Sequence, residues 1–140
     1  MGLSSEIVLF SGNSPAGAAT SAASAVAGFK DVDKITIIAN LLGAAGGALD
    51  VYIQDSPDGV TWYDYVHYTQ LASGASAISY AYSPNPFNDT IKTIGRGTSP
   101  VLAANSVRGG HWYDQLRVLF VAAGGAAAAA QDIRVLAVRN

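Results

Sequence analysis

The stretch ALDVYIQDSPDGVTWYDYVHYTQL (residues 48–71) decides the fold. In its first part Leu49, Val51 and Ile53 alternate with Asp50, Tyr52 and Gln54, the two-residue period of a strand with one buried face. Residues 55–59 (DSPDG) then place Pro57 ahead of the Asp58-Gly59 pair, the order a tight turn requires, and residues 61–71 resume an aromatic, β-prone run. The stretch reads as a β-hairpin whose turn is shaped by Asp55, Pro57, Asp58 and Gly59.

Working outward, residues 34–42 (KITIIANLL) are rich in β-branched side chains and are separated from the hairpin by GAAGG at 43–47. Residues 5–10 (SEIVLF), 76–83 (SAISYAYS), 90–95 (TIKTIG) and 101–104 read as further strands, with Pro84 and Pro86 stopping the second of these. Residues 114–123 (DQLRVLFVAA) and 131–138 (QDIRVLAV), joined by GGAAAAA at 124–130, read as a second hairpin in which Leu116, Val118 and Phe120 share a face. The five alanines are too short a run to hold a helix, and the glycines before them oppose one. About eight strand candidates with no amphipathic helix between them make this a single all-β domain, an antiparallel β-sandwich or jelly roll. Residues 11–28, mostly Ser, Ala, Gly and Thr with one proline and no charge, suit a strand in an assembly, a loop or a flexible arm. The organisation expected is a strand and arm-like segment over 1–28 and the sandwich over 29–140.

The chain has 140 residues, enough for one core, but 25 of them are alanine, which adds little buried area. One glutamate against nine aspartates is a poor supply for helices. A net charge of -2 without a basic cluster leaves no electrostatic footprint for nucleic acid. The absence of cysteine removes disulfides and thiolate chemistry. No apolar run reaches the roughly 18 residues of a membrane span. Residues 1–10 lack the basic start and long apolar stretch of a signal peptide, so a protein made and kept soluble inside the producing cell is expected.

Named catalytic motifs are missing: there is no G-x-S-x-G elbow, no H-E-x-x-H and no P-loop. His67 and His111 invite a hydrolase reading with an aspartate, but a serine-rich chain supplies such partners by chance, and no enzyme is expected. Asp55 and Asp58 beside a glycine turn resemble part of a calcium loop, with Asp31, Asp33 and Asp50 as the candidate further ligands. Calcium wants six to eight oxygens, and turn shaping is the simpler role, so neither metal nor cofactor is expected. Aromatic residues fall at Trp62, Tyr63, Tyr65, Tyr68, Trp112 and Tyr113. On a regular strand Trp62, Asp64, Val66 and Tyr68 take one face and Tyr63, Tyr65 and His67 the other. With one face inward, Tyr63, Tyr65, His67, Trp112 and Tyr113 form the candidate interaction surface, and Trp62 and Trp112 are the candidate stacking platforms of a carbohydrate-binding module.

The alternating strand, the QDSPDG turn and the strand opening on Trp62, over residues 49–65, resemble small structural proteins of tailed bacteriophages. That resemblance implies a β-sandwich or jelly-roll domain that decorates the outer capsid surface, or sits in the tail or neck. It implies a homotrimer that ties neighbouring major capsid protein subunits together, with no catalytic residues and Pro57, Asp58, Gly59 and Trp62 as hairpin and core positions.

Overall fold

The computed structural model describes residues 3–139. Ten strands follow one another: β1 (Leu3–Asn13), β2 (Ala19–Ala22), β3 (Val26–Ala27), β4 (Lys34–Leu41), β5 (Leu49–Ser56), β6 (Tyr63–His67), β7 (Ile78–Tyr82), β8 (Ser106–Val107), β9 (Gln115–Ala122) and β10 (Ala130–Arg139). They form two antiparallel sheets, one ordered β1-β10-β4-β7 and the other β2-β9-β5-β6-β8, with β3 also pairing with β9. The molecule is an antiparallel β-sandwich.

The core is the set of inward stripes that alternation places on each strand. Ile35, Ile37, Ala39 and Leu41 of β4 and Ile133, Val135 and Ala137 of β10 face Leu49, Val51 and Ile53 of β5 and Leu116, Val118 and Phe120 of β9. Burying such side chains contributes on the order of 1.5–3 kcal/mol each for the larger aliphatic ones.

The hairpin of residues 48–71 is present as β5 and β6, paired from Tyr52↔His67 to Asp55↔Tyr63. The second hairpin expected is not: β9 pairs with β5, β2 and β3, whereas β10 pairs with β1 and β4 in the opposite sheet. Both strands carry inward apolar stripes, and that pattern is the same whether two strands lie side by side or face each other across the core. Their connection is an arch between sheets, packed against the arch from β4 to β5. Ala127 N–H donates to Ala45 O at 2.7 Å, Ala123 N–H donates to Ala48 O at 2.9 Å, and a Cβ on Gly46 would lie 2.3 Å from Gly125 O. The GAAGG and GGAAAAA segments are small so that the two arches can touch backbone to backbone.

Residues 3–27 lie on the sandwich and not beside it. β1 runs along β10 with a bulge between Val8 and Phe10, and β2 and β3 pair with β9. Of the strand, loop and arm that residues 11–28 suit, 11–13 continue β1 and 19–22 and 26–27 form edge strands on β9, which small residues permit because they place little bulk there. Residues 90–95 and 101–104, expected as strands, belong instead to a long irregular segment between β7 and β8. Only isolated bridges occur there, at Tyr63↔Arg96 and Arg96↔Ser99.

Candidate interaction surface

The long segment straps the outer face of the larger sheet, and its anchor is Asp64, fully buried on β6. One carboxylate oxygen, Oδ2, accepts the N–H groups of Gly95 (2.7 Å), Val101 (2.8 Å) and Leu102 (2.9 Å). The other, Oδ1, accepts the Gln54 side-chain amide at 3.1 Å, and that amide also donates to Gly97 O at 2.8 Å. Gln54 Oε1 in turn accepts Arg117 Nε (3.0 Å) and Nη2 (2.8 Å), while the guanidinium lies 4.4 Å from the centre of the Trp62 ring. Among the described residues no buried side-chain nitrogen or oxygen lacks a partner. A fully satisfied polar network of this kind holds its elements in one arrangement.

His67 extends the same layer. Its ring stacks on Tyr52 at 3.8 Å, Nδ1 donates to Leu102 O at 2.7 Å, and Nε2 meets Asp50 Oδ1 at 3.0 Å. Both ring nitrogens are thus committed to strap and sheet, and neither meets a serine hydroxyl. Burial, with Asp50 and Asp64 nearby, pushes the Tyr52 hydroxyl up to about 12.

The face alternation expected for residues 62–68 is broken by a β-bulge. β5 and β6 shift register between Ile53 and Gln54, so Tyr65 and Val66 both reach the core while Asp64 and His67 share the outer face. Of the five candidate surface residues, Tyr65, His67 and Trp112 are buried. The Trp112 indole N–H donates to Phe29 O at 3.0 Å, and the Tyr65 hydroxyl donates to Gly110 O at 3.3 Å. Tyr63 and Tyr113 do reach solvent, with ring centres 6.2 Å apart. Trp62 and Trp112 keep only 6% and 4% of their surface, so neither presents a stacking platform.

The four turn residues divide. Asp58 accepts Val60 N–H at 2.8 Å and Thr61 N–H at 2.9 Å, and Gly59 takes φ +77. The N–H groups of Thr61 and Val60 hold the Asp58 carboxyl below the ordinary carboxylate range. Pro57 lies between Ser56 and Asp58, whose side chains hydrogen-bond each other at 3.0 Å. Asp55 does not shape the turn. Fully buried at the end of β5, it receives Arg108 through Nη1 and Nη2, both at 2.8 Å, and accepts Tyr113 N–H at 3.1 Å. Burial pushes its carboxyl above the ordinary range, against the lowering effects of Arg108 and the Tyr113 N–H. The Arg108 guanidinium also lies 4.7 Å from the Tyr65 ring centre and 5.6 Å from that of Tyr113. Asp55 thus holds a guanidinium where a calcium loop would hold a cation, and among the described residues no three His, Cys, Asp or Glu side chains gather as metal ligands.

What reaches solvent most prominently is apolar. Within the strap, Phe87 is 87% and Ile91 98% exposed, and Val101 is also exposed. The reading of the sequence missed these residues and the anchor Asp64. Phe87 stands between Pro86 and Asn88, and an isolated aromatic in a Pro/Asn loop is the one signal that marks it.

The fold and this surface define a β-sandwich that carries an anchored apolar loop. No family model and no curated protein matches the chain. Among solved structures it is similar to a chain in the structure of infectious bursal disease virus, Gx strain. The identity is 12% and the TM-score 0.42, over 99% of this chain and 33% of that one, so this chain spans about a third of the other's length.

Proposed function

We propose that the chain is a structural virion protein of the capsid-decoration type, which binds the outer capsid lattice as a homotrimer and stabilises it, and that it has no catalytic role. The observation that carries this reading is the pair Phe87 and Ile91, almost wholly solvated on the strap between Asn85, whose O accepts Gly110 N–H, and Lys92, which donates to Val107 O, with Asp64 clamping the strap further along at Gly95, Val101 and Leu102. Apolar side chains held out from a rigid base gain free energy when a neighbouring subunit covers them, and a fixed base spares the cost of ordering the loop on binding. The resemblance of residues 49–65 to small tailed-phage structural proteins supplies the lattice as the neighbour. Major capsid protein and further copies of the chain are the partners, and nucleic acid and membrane are not.

The test adds purified protein to isolated capsids that lack it. Wild type binds, sediments with the particles and raises their resistance to heat. The double variant Phe87→Ser, Ile91→Ser keeps its own stability within about 0.5 kcal/mol, as exposed substitutions do, and loses binding. A protein that stays monomeric and ignores such capsids overturns the proposal. Imaging a label on the particle separates a capsid site from a tail or neck site.

A further inference from the structure

A cleft of about 510 Å³ opens where the edge of β7 meets the edge of β8, on the side of the sandwich that neither sheet closes. Its volume is in the range of small-ligand sites. Tyr80 and Tyr82 form one wall, packed against the core. Behind them the Tyr68 and Tyr82 hydroxyls meet at 2.6 Å. The opposite rim carries Asn105 and Ser106, whose side chains have no hydrogen-bond partner among the described residues, and Asn105 is the one described non-glycine residue with positive φ, at 56°. The rim is rigid: Gly110 N–H donates to Asn85 O at 3.1 Å, and Asn88 packs on Gly109. Lys92 lines the cleft and donates to Val107 O at 2.6 Å, which leaves two ammonium hydrogens for a ligand. No carboxylate lines the cleft, although the chain as a whole is acidic.

A tyrosine wall for C–H faces, unpaired amide and hydroxyl groups for ring hydroxyls, and one cation without a counter-charge are together the complement of an acidic sugar. We propose that this cleft binds an acidic saccharide unit of the hexuronic type, with Lys92 on its carboxylate and Tyr80 and Tyr82 against its ring. Phe87 and Ile91 do not line the cleft, although their neighbours Asn88 and Lys92 do, and binding of a free sugar is read without capsids, so its failure and that of the capsid reading are distinguishable.

The test is calorimetry and saturation-transfer NMR on the full chain with methyl glucuronide, methyl glucoside and inorganic phosphate. Methyl glucuronide binds, methyl glucoside binds at least about tenfold more weakly, as the loss of one charge-assisted hydrogen bond requires, and phosphate, which has no ring to lay on Tyr80 and Tyr82, does not bind measurably. Lys92→Gln brings the glucuronide down to the level of the glucoside, Lys92→Arg retains the preference, and Ser106→Phe, which fills the cleft, abolishes both. Melting temperatures of the variants confirm that they fold. Wild type that binds no sugar, phosphate that binds as well as glucuronide, or a folded Ser106→Phe protein that binds as wild type overturns the proposal.

Discussion

Replacing Asp64 by asparagine changes one atom and removes one charge, yet it should cost more than any other isosteric substitution on the outer face of the larger sheet. The Asp64 carboxylate takes three strap N–H groups on Oδ2 and the Gln54 amide on Oδ1. Hydrogen bonds to an ionised acceptor exceed neutral ones by roughly 1 kcal/mol each, so neutralising the anchor loses about 3 kcal/mol over the three strap bonds. An asparagine that keeps its oxygen toward the strap must turn its NH2 toward the Gln54 NH2. Gln54 cannot flip to resolve the clash, because its oxygen already accepts Arg117, which can only donate. That conflict adds about 1–3 kcal/mol, partly relieved if the strap lifts and hydrates, for a total of about 3–5 kcal/mol. Against a usual domain stability of about 5–15 kcal/mol this is a large fraction. Urea unfolding should show the loss, and hydrogen exchange should show the amides of Gly95, Val101 and Leu102 losing protection ahead of the core strands. A loss under about 1 kcal/mol with those amides still protected would refute the reasoning.

Two further outcomes follow from the buried ionisable groups. Arg108→Met leaves the Asp55 carboxyl buried without its cation and should cost about 3–5 kcal/mol at neutral pH. Burial already raises this carboxyl in the folded state, so the unfolded chain gives up the proton first, and the penalty grows as pH rises above the unfolded value of 3.8. Urea titrations of the variant should therefore show a smaller loss near that value than at pH 7, and a small, pH-independent loss would sink the assignment. In alkali, burial holds the proton on Tyr52 to about 12 and pushes Tyr65, Tyr68 and Tyr82 above the ordinary tyrosine value of 10.0. Because the unfolded tyrosines ionise first, stability should fall as pH rises past 10, by up to about 1.4 kcal/mol per pH unit for each fully buried hydroxyl. Ultraviolet titration should find these tyrosines ionising together with unfolding; early, reversible ionisation of all seven in the folded protein would contradict their burial.

The fold class was legible because alternation is a local property. The pleat sends successive side chains to opposite faces, so Leu49, Val51 and Ile53, or Ile133 and Val135, announce a strand and its inward face without reference to any partner. The same holds for Asp58 and Gly59, whose turn is made by atoms two or three residues away. The candidate site was legible only in part. Tyr63 and Tyr113 reach solvent, but a bulge in the β5–β6 pairing turned Tyr65 inward, and the strap covered His67.

By itself, then, the amino-acid sequence determined that this is an all-β chain, which stripes face inward, and where the β5–β6 hairpin turns. Tertiary structure alone decided that β9 and β10 stand in opposite sheets, that residues 19–22 and 26–27 line the β9 edge, and that Asp64, Gln54 and Arg117 clamp a strap. The reason is range. A period-two pattern fits equally well beside a neighbour or across the core. Likewise a polar side chain reads the same in sequence whether water or a buried partner many residues away satisfies it, since only the folded chain brings Gln54 within 2.8 Å of Arg117.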